Sequence, residues 1–82
     1  MTVPQGITKV TFKLTFLKLL NGPVDCRVSD GNDFITVNVL ANNDIQEVTV
    51  EKEISSRNIT LVLIFRSANI TAYVDNIRFT AQ

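Results

Sequence analysis

The chain has 82 residues, of which 45% are apolar, and its 8 basic and 8 acidic side chains cancel to zero net charge. This apolar content excludes a disordered chain, and the zero net charge gives no electrostatic reason to expect nucleic acid or a membrane surface as a partner. With 1 cysteine and no histidine, the chain has neither an internal disulfide nor a zinc site built from those residues.

A chain of this length predicts one small domain, spanning residues 1–82. Such a domain buries only about 60% of its unfolded surface, so association with other chains is a common source of added stability. No signal peptide is predicted, because no basic start is followed by an apolar stretch. The longest apolar run, Leu61–Phe65, is far shorter than the roughly 18 residues of a membrane span.

The first apolar run predicts a half-buried strand. Apolar side chains occupy every second position from Val10 to Phe16, with lysines and threonines between them. From Leu17 onward the apolar residues fall on the other parity, which a β-bulge explains. The alternative is a short amphipathic helix over Phe12–Leu20 closed by Gly22, although the threonines of this run oppose it.

Further strands follow at short intervals, separated by segments rich in turn-forming residues. They are predicted at Val24–Val28, Phe34–Leu40, Ile45–Ile54, Ile59–Phe65 and Ile70–Thr80. The segment Ile59–Phe65 is apolar on both faces, which predicts a strand that is central in its sheet or covered on both sides. In the last strand, a bulge at Asp75-Asn76 brings the apolar residues before and after it to one face.

This pattern predicts an all-β fold, an antiparallel β-sandwich of about six strands with Greek-key or jelly-roll connections. The predicted core is made of alternating inward-facing residues of these strands. Its members are Phe12, Leu14, Val37, Val50, Leu61, Leu63, Phe65, Val74 and Ile77.

Three segments carry a resemblance to a known family. They are the charged-alternating run Gln46–Val50, the apolar run Ile59–Phe65, and Tyr73–Phe79, which reads aromatic-apolar-Asp-Asn-apolar-x-apolar. With Gly6–Phe12 as an early core strand, they resemble jelly-roll carbohydrate-binding modules of the galactose-binding-domain-like type. The resemblance covers the carboxy-terminal part of such modules, because the strands that precede the equivalent of Gly6 in the family have no counterpart here.

The resemblance implies a non-catalytic module that binds a polysaccharide or glycan, as on phage tail spikes or fibres, and an extracellular or virion-surface location. The alternative is a structural β-sandwich that oligomerises or decorates a larger assembly and has no sugar site. The chain lacks tryptophan, which sugar-binding grooves of the family often use for stacking. An enzyme is not expected, because no nucleophile, base and orienting group can be nominated together.

The candidate carbohydrate-binding residues are Tyr73, Asn38 and Arg66. Tyr73 is the only tyrosine; it either stacks on a sugar ring or caps the edge of the core. Asn38 and Arg66 supply polar groups on outward strand positions, and Asn38 is expected to share one outer sheet face with Tyr73. No cofactor is predicted other than a structural calcium ion.

Two segments are weighed as calcium ligands. The resemblance implies that Asp75 in the last strand holds the ion, whereas the competing interpretation is a bulge in which Asp75 and Asn76 bond local backbone groups. The segment Asp30–Asp33 has many oxygen atoms but lacks the pattern of a calcium loop, so a hairpin turn using Asp-Gly is the stronger interpretation.

An exposed apolar patch predicts self-association. If the odd-numbered residues of Ile59–Phe65 face the core, Val62 and Ile64 point outward, and Leu17 and Leu19 extend the same patch. We therefore expect a homo-oligomer, with a trimer as first choice by analogy with phage spikes and fibres. The alternative is that long neighbouring side chains shield Val62 and Ile64 in a monomer.

Overall fold

The structure, a computed structural model, describes residues 1–82 and contains six β-strands and no helix. The strands are β1 (Lys9–Leu20), β2 (Val24–Ser29), β3 (Phe34–Val39), β4 (Gln46–Glu53), β5 (Thr60–Phe65) and β6 (Thr71–Ala81). The predicted all-β fold is confirmed. The strand β1 continues through the segment for which a helix was the alternative, because its β-branched and alternating residues suit a pleated sheet. No helix in the fold is long and apolar enough to cross a membrane.

The strands form two antiparallel sheets of three. The first sheet has the order β4-β1-β6 and the second sheet has the order β3-β2-β5. Only the hairpin from β2 to β3 joins strands of one sheet, so every other connection crosses between the sheets. The two sheets pack their apolar faces together as a sandwich, and each central strand, β1 or β2, lies in the middle of its layer.

The central strands supply most of the core. Because side chains alternate along a strand, one face of each central strand points into the sandwich. The fully or nearly fully buried side chains on these strands are Val10, Phe12, Leu14, Phe16, Leu19, Val24, Cys26 and Val28. Val3 and Ile59 are also buried; Val3 lies before β1, and Ile59 lies directly before β5.

Both predicted bulges are present between β1 and β6. The pairing register shifts between Lys13 and Thr15, opposite Asn76, whose φ is 52°. It shifts again between Phe16 and Lys18, so that Leu19 returns to the inner face and is 0% exposed. The expectation that Leu19 belongs to an exposed patch is therefore wrong, because the extra residue in the bulge restores its inward parity.

The sandwich is closed along one side and open along the other. On the closed side, residues of β3 and β4 approach within 8 Å between Cα atoms, whereas no Cα atom of β5 lies within 8 Å of one in β6. We call the edge between β5 and β6 the open side. No residue of β5 or β6 is buried, although both strands direct apolar side chains to the inner face. The inner-face side chains of β5 and β6 thus lack the close facing strand that β3 and β4 provide for each other.

The open side explains where the predicted core is wrong. Phe65 and Ile77 lie on inward strand positions, yet they are 49% and 55% exposed because no layer faces them across the open side. The predicted core residues Leu61, Leu63, Val37 and Val74 are half-buried against the core. The strand β5 is neither central in its sheet nor covered on both faces, since it pairs with β2 alone and Val62 on its outer face is 42% exposed.

Candidate functional site

Asn38 and Arg66 meet on the outer face of the second sheet, where both bind Asp25. The Asn38 amide Nδ2 donates a hydrogen bond of 2.7 Å to Asp25 Oδ1, and Arg66 Nε donates one of 2.6 Å to Asp25 Oδ2. The strand register brings them together, because Asn38 on β3 and Ile64 on β5 flank Asp25 on β2. The hydrogen bond from Asn38, followed by that from Arg66, lowers the pKa of Asp25.

This cluster satisfies a buried carboxylate. Asp25 is buried although it lies on the outer face, and both of its oxygens accept a hydrogen bond. The polar atoms of Asn38 and Arg66 used in these bonds are therefore committed within the chain. Asp25 itself was not a predicted site residue, although an aspartate between two apolar residues of β2, Val24 and Cys26, is a signal that it needs partners.

The Arg27 side chain, on the same strand as Asp25, is also engaged in contacts within the chain. The Arg27 guanidinium carbon lies 4.3 Å from the centroid of the Phe34 ring, and Arg27 Nε donates a hydrogen bond of 3.3 Å to Thr36 Oγ1. Arg27 and Thr36 are register partners on β2 and β3. The Arg27 contact thus covers one face of the exposed Phe34 ring and leaves less of it for a ligand.

Tyr73 lies on the other sheet. It occupies an outward position of β6, pairs with Lys18 of β1, and is 58% exposed. The expectation that Tyr73 and Asn38 share one sheet face is wrong, because β6 belongs to the first sheet and β3 to the second. The exposed ring of Tyr73 does not cap the edge of the core.

A polar cleft lies on the outer face of the first sheet, the face that carries Tyr73. Its volume is about 270 Å³. The polar side chains that line the cleft are Lys13, Thr15, Glu47, Thr49, Asn76 and Arg78. They come from all three strands of the sheet, because Lys13 pairs with Thr49 on one side and with Arg78 on the other. The cleft lies where the bulge at Asn76 interrupts the ladder between β1 and β6.

The side chains of the polar cleft are not engaged with one another. None of them takes part in a side-chain hydrogen bond or an ion pair. The ion pairs of the chain lie elsewhere: they join Lys52 to Asp30 and Asp33, and Arg66 to Asp25. Two of the lining groups are cationic and one, Glu47, is anionic. The cleft therefore offers free donors and acceptors with an excess of positive charge.

Asp30 lies in the turn between β2 and β3 of the second sheet, and its carboxylate also binds residues at the end of β4 in the first sheet. Its Oδ1 accepts hydrogen bonds of 2.9 Å from the backbone amides of Asn32 and Asp33, and its Oδ2 accepts one of 2.9 Å from the amide of Ser55. Lys52 Nζ lies 3.7 Å from Oδ2. The predicted hairpin turn is confirmed. The bonds from the Ser55, Asn32 and Asp33 amides hold the pKa of Asp30 far below its ordinary value.

Asp75 also bonds the local backbone, since its Oδ1 accepts a hydrogen bond of 2.9 Å from the amide of Asn76. No group of three or more histidine, cysteine, aspartate or glutamate side chains is placed to hold a metal ion. Cys26 is fully buried, and this burial, with a smaller contribution from Asp25, raises the pKa of its thiol to about 11. The thiol is thus protonated at neutral pH and is a poor nucleophile.

Comparison with protein-family models, with curated proteins and with solved structures gives no match. The arguments for a function therefore rest on the geometry of the polar cleft, of Tyr73 and of the open side.

Proposed function

We propose that this chain is a non-catalytic carbohydrate-binding module that holds a glycan in the polar cleft beside Tyr73. The observation that carries the proposal is the convergence of uncommitted polar side chains on one cleft. Sugar hydroxyls both donate and accept hydrogen bonds. Lys13 and Arg78 can donate to them, Glu47 can accept from them, and the threonine hydroxyls can do both.

Tyr73 supports the proposal because it lies on the same face as the cleft. Along β6, the outward position between Tyr73 and the bulge is Asp75, which pairs with Thr15 of the cleft wall. Outward positions on a strand repeat every two residues, about 7 Å apart. The exposed tyrosine ring therefore lies one sugar unit beyond the cleft, where it can stack on the next ring of a chain.

The two cations that line the cleft, Lys13 and Arg78, favour an acidic sugar ring there, whereas the carboxylate of Asp75 lies beside the cleft towards Tyr73. Lys13 and Arg78 lie on neighbouring strands as register partners, and no carboxylate neutralises either of them by an ion pair. A carboxylate on a sugar forms stronger hydrogen bonds to such cations than a hydroxyl does. We therefore expect a uronic-acid polymer to bind more tightly than a neutral polymer of similar length.

Titration calorimetry with oligouronates and with neutral oligosaccharides tests the proposal. Lys13→Ala or Arg78→Ala is expected to weaken oligouronate binding about tenfold, because a hydrogen bond to a charged group contributes about 1.5 kcal/mol or more. The matched control is Arg27→Ala, which removes the same charge from the outer face of the opposite sheet, where Arg27 contacts only the exposed Phe34 and Thr36, and leaves binding unchanged. No binding to any glycan, or an equal loss in the Arg27 variant, contradicts the proposal.

A further inference from the structure

Edge strands in sandwiches are usually protected against pairing with other chains. Here β4 is protected by Glu47, Glu51, Lys52 and Glu53, and β6 by its bulge and by two charged residues, Asp75 and Arg78. The third edge strand, β3, lies against β4 on the closed side. None of these protections applies within β5, whose sequence Thr-Leu-Val-Leu-Ile-Phe contains no charge, proline or bulge. The amino-terminal residues Met1–Val3 pair only with Arg57–Ile59, before β5 begins.

The free edge of β5 offers both hydrogen bonds and apolar side chains. In an antiparallel pair every second residue turns its amide and carbonyl away from the partner strand, so an edge strand leaves half of them unpaired. Val62 is 42% exposed on the outer face, and Phe65 is exposed on the inner face. The apolarity of β5 on both faces is typical of a strand with neighbours on both sides.

The sequence of β5 is complementary to itself. A two-fold axis perpendicular to the sheet keeps inner and outer faces, so residues that oppose each other across it must have the same parity. An axis through Leu63 satisfies this condition. It pairs Leu63 with its copy, Leu61 with Phe65, Val62 with Ile64, and Thr60 with Arg66. Every buried pair in this register is apolar, and the one charged residue falls at its rim.

A groove at the open side fits this register. The groove has a volume of about 380 Å³ and is lined mostly by apolar side chains, among them Phe12, Ile59, Leu61 and Ile77. In the Leu63-centred register, Phe65 of the second copy lies opposite Leu61 on the inner face. Its ring therefore points into the groove, and the symmetry operation places the first copy's Phe65 in the groove of the second.

We infer that the open side is an interface between two copies of this chain, in which β5 pairs antiparallel with β5 of the second copy about a two-fold axis at Leu63. The second sheet then continues through both copies, and the exposed inner-face residues of β5 gain a covering layer. This inference is independent of the glycan-binding proposal, since the polar cleft lies on the outer face of the other sheet. It specifies a dimer, because a three-fold axis cannot place one strand edge against itself.

Sedimentation equilibrium on the full chain tests the dimer, and Ile64→Lys tests the position of its interface. Wild type is expected at twice the mass of the 9.1 kDa chain. Ile64→Lys is expected to be monomeric, with an unchanged circular dichroism spectrum because the new amine faces Asp25 of its own chain. The matched control, Ile45→Lys, places the same substitution at an exposed residue away from β5 and stays dimeric. A monomeric wild type, a trimer, or a dimer that persists in Ile64→Lys overturns the inference.

Cross-linking tests the register without depending on a charged substitution. Val62 opposes Ile64 of the second copy, so an oxidised mixture of Val62→Cys and Ile64→Cys is expected to give a disulfide-linked dimer of the two variants. Each variant alone is expected to remain unlinked, because identical residues are offset by two positions and lie beyond the distance that a disulfide spans. The buried native Cys26 serves as the internal control in wild type. No link in the mixture, or a link in one variant alone, overturns the Leu63-centred register.

Discussion

The closed and the open side of the sandwich are both bordered by strands with apolar side chains on the inner face, yet these side chains reach different degrees of burial. On the closed side Val39, Val48 and Val50 are buried, whereas on the open side Phe65 and Ile77 remain about half exposed. The difference shows that alternation determines the direction of a side chain but not its burial. Burial also requires a facing layer, which β3 and β4 provide for each other and β5 and β6 do not.

The closed side also has a polar connection that the open side lacks. Asp30 lies in the turn between β2 and β3, and it binds Ser55 and Lys52, which follow or belong to β4 in the other sheet. The carboxylate therefore joins the second sheet to the first at this side. No hydrogen bond or ion pair connects β5 with β6. We expect the two sides to respond differently to mutation and to pH.

Alanine substitution of two phenylalanines gives the largest expected contrast. Phe16 is fully buried, so Phe16→Ala should lower the free energy of unfolding by about 3–5 kcal/mol. Phe65→Ala, in the monomeric Ile64→Lys background, should cost less than about 1 kcal/mol because the ring is already half exposed. Leu63→Ala should fall between them, at about 2 kcal/mol, since Leu63 is half-buried. Urea denaturation measures all three, and equal losses for the two phenylalanines would remove the contrast between core and open side.

The loss of folding stability at low pH should depend mainly on Asp30, on the closed side. Because the folded-state pKa of Asp30 lies below its value in the unfolded chain, the ionised carboxylate stabilises the fold above about pH 4, and this stabilisation is lost as the pH falls towards the folded-state pKa. Asp25, whose pKa is also lowered, acts in the same direction. Asp30→Asn should therefore lower the melting temperature at pH 7 and reduce its further fall between pH 4 and about pH 2. Asp44→Asn, at an exposed loop carboxylate, is the control, and an identical response of both variants would contradict this role of Asp30.

The smallest expected effect on stability is at Tyr73. Its exposed ring contributes little to packing, so Tyr73→Ala should change the free energy of unfolding by no more than about 0.5 kcal/mol. Glycan binding should nevertheless fall, because the variant loses the ring beside the polar cleft. Parallel melting and calorimetry measure the two effects, with Tyr73→Phe as the variant that keeps the ring. Unchanged glycan binding in Tyr73→Ala would exclude the ring from the site.

Strand positions and bulges were predictable because they depend on local parity. The apolar residues around Leu17 and around Asp75 change parity, and one extra residue is the local solution in each case. The order of strands was not predictable, because parity carries no information on which strands pair. For the same reason the sequence predicts only that β5 is central or covered on both sides: its two apolar faces indicate that it needs covering but not what covers it.

The polar cleft could not be found from the sequence, because its walls come together only in the folded sheet. Lys13, Glu47 and Arg78 lie far apart along the chain and form no local motif. The outward directions of Asn38 and Tyr73 followed from alternation, but their assignment to one face required knowledge of the sheets. The commitment of Arg66 to Asp25 likewise depends on the register of β2 with β5.

The order of strands in the first sheet has a consequence for how the chain folds during synthesis. The strand β1 is synthesised before the other five strands, yet its two neighbours are β4 and β6, the latter ending at Ala81. The hairpin of β2 and β3 can form within about 1–10 μs once it is made, but β1 must keep its apolar face unpaired until the last strand arrives. Such non-local pairing slows folding and exposes the chain to aggregation. Native structure should therefore appear only after β6 is released, and a nascent chain that stalls before Thr71 would depend on chaperones for its solubility.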